Sequence, residues 1–314
     1  MTVSFPDLRK RNNPSCKTKC NKAERKELTE DDMCKIVLSV QDNLPVRCVG
    51  SWAYQKIFML NQYFGIFAEG MKKKWNGLNY VEICSGPGRC VTRDLDEAEE
   101  FDGTALSIIR HDSFKFIKSA IFIDANEDVV SILNTRIAAM NKTNIAKAVI
   151  GNYIDNGDMK SIVSKLPPNY LNLVFIDPTD CSVPFSTIKT IKENLKNVDF
   201  IINFAVGTDL TRNIIPSIYK PNYQKVKEKY ARFLGTEDFF DREDVKNYCV
   251  DPKRAKNIFL DEYKKNLLNI GFRFIESHPV EHYYYLLYVT GHPVGLKFWK
   301  EVCKIEYDGQ RTLF

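Results

Sequence analysis

Long apolar runs are missing from this sequence. No stretch of its 314 residues approaches the roughly 20 consecutive apolar side chains that a membrane-spanning helix requires. The opening residues, MTVSFPDLRKRNN, are poor in hydrophobic side chains, whereas a cleaved leader would carry a short apolar segment there. We therefore expect a cytoplasmic protein that does not enter a membrane.

Histidine is scarce, and the chain has no internal repeat or low-complexity tract. Of the four histidines, His278, His282 and His292 lie around one predicted hairpin without the spacing of metal ligands. Structural roles are favoured for these three side chains.

Paired cysteines are not expected either, because the nine cysteines form an odd set in a chain without a predicted leader. Cys16 and Cys20 form a C-x3-C pair, but the gaps to Cys34 and Cys48 are long and contain no histidine. A zinc or cluster site built from these four residues stays open beside the interpretation as free thiols. No metal site is predicted.

Positive charge is concentrated in two places, although the net charge of +5, from 45 Lys and Arg against 40 Asp and Glu, is mild. The chain is 44% hydrophobic and 12% aromatic, which is typical of a folded globule. We predict a basic, cysteine-containing extension over residues 1–45 and a folded domain over residues 46–314. Nucleic acid is a possible partner of the basic residues, and a solvated surface is the alternative. These residues are, near the N-terminus, Arg9, Lys10, Arg11, Lys17, Lys19, Lys22, Arg25 and Lys26, and later Lys220, Lys225, Lys227, Lys229 and Arg232.

The hydrophobic pattern of the domain predicts an α/β fold. An apolar stripe at helical spacing between Trp52 and Trp75 predicts an N-terminal helical extension. Short apolar runs then alternate with helical patterns, which is typical of a mostly parallel sheet. The last two strands, 272–276 and 283–289, are close enough to form an antiparallel hairpin. The preceding runs lie at 80–84, 120–123, 148–150, 173–176 and 200–204.

The first apolar run ends in Glu82-Ile83-Cys84 and continues into Ser85-Gly86-Pro87-Gly88. Ligands of open α/β sheets bind beyond the carboxyl ends of strands, where glycine lets them approach the backbone. The third glycine of a dinucleotide fingerprint is missing, so a nicotinamide cofactor is disfavoured. The acid before the glycines can reach an ammonium group, which suits S-adenosylmethionine (SAM). A plain tight turn is the alternative.

The next two strands add candidate cofactor ligands. Asp124 ends the second run, where its carboxylate can accept hydrogen bonds from both ribose hydroxyls, although strand-end aspartates also cap helices. Asn152, after the third run, offers an amide to the adenine amine. We therefore predict a SAM site made by Glu82, Ser85, Gly86, Pro87, Gly88, Asp124 and Asn152.

The fourth run ends in Asp177-Pro178-Thr179-Asp180. A carboxylate there can orient an acceptor and take its proton during methyl transfer. Amino-methyltransferases have D-P-P-Y at this position, and this chain keeps only Asp177 and Pro178. We predict Asp177 and Pro178 as the catalytic residues. Cys181 is an alternative nucleophile, although a buried structural role is favoured.

Several blocks in order resemble the three-Cys-motif partner protein family (TcmP), from about Asp42 to the C-terminus. Glu82–Arg89 is similar to the family's D-L-F-A-G-P-G-R signature, with Glu82 replacing the aspartate and Cys84 the phenylalanine. The segment 44–52 looks like its entry helix, and Asp177-Pro178 resembles a later block. Thr179-Asp180 departs from the family pattern. The other similar segments are 202–204, 233–235 and 292–299.

The resemblance implies a Rossmann-like class I SAM-dependent methyltransferase fold and a partner that carries a three-cysteine motif, a radical-SAM-like enzyme among the candidates. Our leading hypothesis is a SAM-dependent methyltransferase that acts on nucleic acid together with that partner. The alternative is a non-catalytic or differently catalytic subunit with the same fold, in a defence or modification system of a mobile element. The sequence leaves the acceptor atom open.

Overall fold

The computed structural model describes residues 11–12, 29–30, 33–93, 98–248, 251–281 and 283–305. The chain forms two compact units, which consist of residues 1–150 with 301–314, and residues 151–300. The predictions for Cys16, Cys20 and His282 lie outside the described residues. Within the described part of the chain, no helix has the length and apolar character needed to cross a bilayer.

The first unit contains nine strands and three α-helices within the described residues. Its elements are β1 (Arg11–Asn12), β2 (Thr29–Glu30), β3 (Met33–Leu38), β4 (Pro45–Val49), α1 (Ala53–Met71), β5 (Leu78–Ile83), β6 (Arg89–Thr92), β7 (Glu99–Asp102), α2 (Thr104–Arg110), β8 (Ile117–Asp124), α3 (Glu127–Ala139) and β9 (Ala146–Ile150).

Three parallel strands carry the predicted α/β pattern in this unit. β8 lies between β5 and β9, with Glu82 opposite Phe122 and Phe122 opposite Ala148. All six residues of β5 are buried, as expected for a parallel strand covered on both faces. α1 provides the predicted N-terminal helix, and α3 matches the stripe of apolar residues that follows Asp124.

A second sheet of this unit was not predicted. Its strand order is β1-β7-β6-β4-β3-β2, in which β6 and β4 are parallel and the other described pairs are antiparallel. Cys34, Val37, Val46, Cys48 and Val91 pack together in its core. Strands therefore precede α1, and residues 45–49, which resemble part of an entry helix, form a strand.

The residues just before position 46 are bonded to the rest of the first unit. The Ser39 hydroxyl donates to Glu100 Oε1 over 2.7 Å, and Asp42 pairs with Arg136 on α3. The predicted boundary between residues 45 and 46 stays a prediction, but β3 and Asp42 belong to the folded structure on its N-terminal side.

The second unit contains the remaining strands and helices of the described chain. Its elements are α4 (Asn156–Val163), β10 (Leu171–Ile176), α5 (Phe185–Asn194), β11 (Val198–Phe204), a π-helix (Val206–Leu210), α6 (Thr211–Tyr219), α7 (Gln224–Leu234), α8 (Glu243–Tyr248), α9 (Pro252–Asn269), β12 (Phe274–Val280), β13 (Tyr284–Thr290) and α10 (Pro293–Val302, which ends in the first unit).

The strand order of the second unit is β10-β11-β13-β12, with β10 and β11 parallel and the remaining pairs antiparallel. The predicted C-terminal hairpin is confirmed, with Val280 opposite Tyr284. Gly271, at φ +95°, follows α9 in the left-handed conformation that glycine adopts at the ends of helices.

The fold class follows from these two half-sheets. The strands of the predicted α/β pattern are β5 and β8 to β13, which we count from one to seven. In these numbers the order is 3-2-1 in the first unit and 4-5-7-6 in the second unit. These are the two halves of the Rossmann-like class I methyltransferase plan, and the predicted fold is confirmed. The unpredicted sheet is an addition to it.

Candidate functional site

The loop after β5 has an unusual backbone. Cys84, Gly86 and Gly88 adopt φ values of +64°, +66° and +94°. Glycine accepts such angles without strain, whereas Cys84 does not. A Cβ on Gly88 would lie 2.9 Å from Leu106 and from Leu133, so this position requires glycine for space as well as for conformation.

Asp124 holds this loop from the end of β8. Its Oδ2 accepts the Gly86 N–H over 3.0 Å, and its Oδ1 accepts the Asn126 N–H over 3.1 Å. Asp124 does not cap α3, because Asn126 does so by accepting from the backbone N–H groups of Asp128 and Val129. A carboxylate oxygen can accept a second hydrogen bond, so Asp124 retains capacity for a ligand.

Glu82, near the end of β5 just before the loop, is completely buried. Its Oε2 accepts from Tyr80 over 2.8 Å, and its Oε1 accepts from the Thr104 hydroxyl. These bonds satisfy the buried carboxylate. A ligand ammonium would therefore approach a carboxylate that already has two donors, which favours a supporting role for Glu82.

Two further groups of the loop differ in their bonding. The Ser85 Oγ is buried and has no hydrogen-bond partner among the described residues. Such an atom costs about 1 to 3 kcal/mol unless a ligand or water satisfies it. The Pro87 carbonyl, in contrast, accepts from Arg136 over 2.6 Å, and Arg136 is held in turn by Asp42.

The chain does not enter a helix directly after Gly88. Instead it continues as β6 and β7, and the next helix among the described residues, α2, begins at Thr104. In a dinucleotide fold the glycine loop opens a helix whose N-terminus receives the pyrophosphate. This arrangement is absent after Gly88. The path of the backbone therefore disfavours a dinucleotide cofactor, as the missing third glycine also does.

The first residue of β6 anchors a buried ion cluster. Arg89 donates to Glu100 over 2.5 Å and to Asp102 over 2.6 Å, and Arg110 reaches Asp102 over 2.8 Å. Burial raises the pKa of Asp102 despite the two arginines. Because Gly103 also donates to the Gly88 carbonyl, this cluster fixes the end of the loop.

Asn152, the predicted adenine contact, lies in an exposed turn of the second unit. Its backbone N–H donates to Asp158 over 2.7 Å, and its side-chain oxygen accepts from Ile154. Both bonds are those of a local turn that leads into α4. The geometry therefore accounts for Asn152 without a ligand, and its predicted cofactor role stays a prediction.

Asp177 and Pro178 are positioned by an asparagine on the neighbouring strand. The Asn203 Nδ2 donates over 3.0 Å to both Asp177 Oδ1 and the Pro178 carbonyl. Asp177 is 3% exposed, and Asn203 Oδ1 is buried without a partner among the described residues. A carboxylate and an amide oxygen thus lie together, which suits an acceptor group that donates hydrogen bonds.

A charged cluster follows in the same segment. Lys229 on α7 pairs with Asp209 over 2.6 Å and with Asp180 over 3.2 Å. Asp209 belongs to the π-helix and also accepts from Tyr230 and from the Cys181 N–H. Burial favours the neutral acid, but the hydrogen bond and charge of Lys229 outweigh it and lower the pKa of Asp209.

Cys181 is unsuited to nucleophilic catalysis. Its thiol is completely buried, and burial together with Asp209 and Asp180 raises its pKa well above the usual value. Only the thiolate is an effective nucleophile. The structure therefore supports the favoured interpretation of Cys181 as a buried structural residue.

The metal question concerns residues that the structure describes only in part. Cys34 and Cys48 are buried in an apolar cluster, and Cys34 Sγ accepts the Val37 N–H. Among the described residues, no group of three or more His, Cys, Asp or Glu side chains could hold a metal ion.

The sequence reasoning missed the residues that support the two loops. Asn203 had a usable signal, because a polar side chain interrupts the apolar run 200–204. Arg136 had none, and the basic cluster that contains Lys229 did not reveal its pairing, since each residue finds its partner far along the chain. Such pairings depend on how the helices pack.

The comparisons with known proteins are limited to remote structural likeness. No protein-family model and no curated protein sequence matches the chain. The chain is similar to a Legionella pneumophila protein at 13% identity over 82% of this chain and 94% of that chain, with a TM-score of 0.45.

Two methyltransferase structures are also similar. An O-methyltransferase from Bacillus cereus in complex with SAH matches at 12% identity over 77% and 82% of the two chains, with a TM-score of 0.39. An SAH-bound methyltransferase from Podospora anserina matches at 10% identity over 72% and 76%, with a TM-score of 0.38. At such identities and TM-scores, the likeness says nothing about what this chain binds.

Proposed function

We propose that this protein is a SAM-dependent methyltransferase. The observation that carries the proposal is the loop Cys84–Gly88, whose backbone has three positive φ angles and is hydrogen-bonded to Asp124 at the end of the next strand. A plain turn requires neither the carboxylate nor the unsatisfied Ser85 hydroxyl. Both are explained by a ligand that has hydroxyl donors and a polar chain.

In this proposal the residues of the first unit bind the cofactor, which supplies the methyl group. Asp124 accepts hydrogen bonds from the ribose hydroxyls, and the Ser85 hydroxyl bonds to a polar group of the ligand. Gly86 allows close approach of the ligand, Gly88 lets the loop pack against Leu106 and Leu133, and Pro87 and Glu82 keep the loop in place. Asn152 is assigned the adenine amine as a separate prediction.

Asp177 is proposed as the residue that orients the methyl acceptor. Pro178 fixes the turn, and Asn203 aligns it. A carboxylate beside an unpartnered amide oxygen favours an amine or hydroxyl acceptor, because these groups donate protons. The position after Pro178 holds Thr179 and Asp180 instead of an aromatic side chain, so stacking on a base does not occur there.

Nucleic acid is the proposed acceptor class. On α7 and just before it, Lys220, Lys225 and Arg232 are exposed and form no ion pair within the described part of the chain. Tyr219, beside them, is 56% exposed. Lys227 and Lys229, however, pair with acidic residues, so the basic surface is smaller than the sequence suggested.

A partner protein and a cytoplasmic location complete the proposal. The partner rests on the resemblance to three-Cys-motif partner proteins, and the location rests on the odd set of nine cysteines, which favours a reducing compartment. Inactivity without the partner would be consistent with this proposal only if transfer appears when the partner is added.

Titration calorimetry tests the cofactor assignment directly. The protein is expected to bind SAM and S-adenosylhomocysteine and not NAD. Asp124→Ala should weaken binding by about 1 to 3 kcal/mol, because the ribose hydroxyls lose a charged acceptor. Asp128→Ala, an exposed aspartate at the start of α3, serves as the control and should bind normally.

Two results would contradict the proposal. If Asp124→Ala binds SAM as tightly as the unchanged protein does, the pocket assignment is wrong. If SAM binds but no methyl group reaches DNA, RNA or protein even with the partner present, a non-catalytic subunit is the better interpretation.

A further inference from the structure

Arg47 lies beside the glycine loop and has no role in the function described so far. It stands at the centre of β4, where Val46 and Cys48 point into the core of the second sheet. By the alternation of a strand, Arg47 points to the opposite face. β4 runs parallel to β6, with Arg47 opposite Cys90, two residues after the loop ends.

This register brings the guanidinium against the loop itself. A Cβ added to Gly86 would lie 3.3 Å from Arg47 Nη1 and 3.5 Å from Arg47 Cδ. The arginine therefore borders the space that a side chain at position 86 would occupy. A ligand that enters this space meets the cation.

Two other charged side chains contact the loop. Arg136 forms a bidentate pair with Asp42, at 2.8 and 3.0 Å, and donates to the Pro87 carbonyl. Asp124 carries negative charge and accepts the Gly86 N–H. A carboxylate and a guanidinium thus both lie at Gly86, and together they suit a ligand with hydroxyl donors at one end and an anion at the other.

We infer that Arg47 recognises the α-carboxylate of the amino-acid part of the cofactor. This inference rests on the proposed function, because SAM combines a ribose diol with an amino-acid carboxylate. Arginine presents paired N–H donors that match a carboxylate, and such charge-assisted pairs are stronger than neutral hydrogen bonds. Arg47 is a binding residue in this assignment and takes no part in methyl transfer.

The test compares ligands with and without the carboxylate. Titration calorimetry of the full chain uses S-adenosylhomocysteine and its decarboxylated analogue, which keeps the amine and loses the carboxylate. We expect the unchanged protein to prefer S-adenosylhomocysteine by about tenfold or more. Arg47→Gln should lose this preference while binding the decarboxylated analogue as before.

Two further variants separate recognition from folding and from general charge. Arg47→Lys keeps the charge but not the paired donors, so it should retain only part of the preference even if Arg47→Gln folds poorly. Arg254→Gln removes an exposed arginine of the second unit and should leave both affinities unchanged. Melting temperatures establish that each variant is folded.

The inference and the proposed function fail in different ways. Equal loss of affinity for both ligands in Arg47→Gln, or an unchanged preference, would overturn the role of Arg47 alone. If the unchanged protein binds neither ligand, the SAM assignment fails and the inference fails with it. If it binds both equally, the cofactor stands and the carboxylate assignment is wrong.

Discussion

The two loops that follow β5 and β10 are built on different principles. In the first, the backbone defines the loop, because three positive φ angles and a hydrogen bond to the Asp124 carboxylate set its path. In the second, side chains define it, because Asp177 is aligned by Asn203 while Lys229 bridges Asp180 and Asp209. A backbone site depends on space, whereas a side-chain site depends on charge and on distant partners.

The strongest test of the second loop is to neutralise its carboxylate. Asp177→Asn should leave SAM binding unchanged and reduce methyl transfer by about two orders of magnitude, because proton acceptance is lost. Transfer of labelled methyl from SAM to mixed DNA, RNA and protein measures this, with and without the partner. Asp180→Asn changes the same loop and should retain much more activity. Full transfer by Asp177→Asn would place the chemistry elsewhere.

The first loop should be sensitive to added side-chain volume and not to a change of charge. Gly88→Ala should destabilise the protein by about 2 to 4 kcal/mol, because a left-handed alanine is strained and its Cβ meets Leu106 and Leu133. Gly271→Ala is the matched control, since Gly271 has φ +95° with no atom within 4 Å of the added Cβ. Its cost should be only about 1 to 2 kcal/mol. Denaturant unfolding that shows equal costs would exclude the packing contribution.

Removal of the bridging lysine tests the charged cluster. Lys229→Met should cost about 1 to 3 kcal/mol, because Asp209 is 12% exposed and loses its cation. Lys227→Met is the control on the same helix, and its partner Asp241 is 65% exposed, so we expect less than about 1 kcal/mol. Similar midpoints of urea unfolding for the two variants would argue against a stabilising role of the buried pair.

The same cluster should affect stability in acid. Lys229 lowers the pKa of Asp209, so the contribution of Asp209 is present above its ordinary pKa and is lost as the pH falls through the folded value. In Lys229→Met the Asp209 carboxylate becomes protonated more easily. The free energy of unfolding should therefore decrease less on acidification than it does in the unchanged protein. Thermal unfolding between about pH 3 and 7 measures the difference.

The smallest expected effect concerns a histidine in each unit. Burial lowers the pKa of His111 and of His278, against the nearby acids that oppose it. The unfolded chain then binds more protons near the ordinary histidine pKa, so stability falls as the pH drops through about 6.5. His278→Gln should show a smaller decrease in melting temperature between pH 7.5 and 5.5. An identical decrease would assign the effect to other groups.

The sequence alone determined the features that depend on neighbours along the chain. Apolar runs and helical stripes predicted the parallel strands, α1, α3 and the C-terminal hairpin, because burial imposes a period on each element. The glycines and strand-end acids marked the loop as a candidate site, because glycine accepts the positive φ angles at positions 86 and 88 and the carboxyl ends of parallel strands lie at one edge. The sequence could not distinguish a ligand-binding role of Asp124 from a helix-capping role, because both roles place an acid shortly before α3.

The tertiary structure decided what depends on partners far apart in the chain. The second sheet pairs β4 with β6 across more than 40 residues. Its strands are too short to show a clear alternation of apolar and polar residues. Arg136 finds Asp42, and Lys229 finds Asp209, only after their helices have packed. Arg47 likewise meets Gly86 through strand register. Local pattern dictates where an element forms, whereas packing alone dictates which charges its side chains meet.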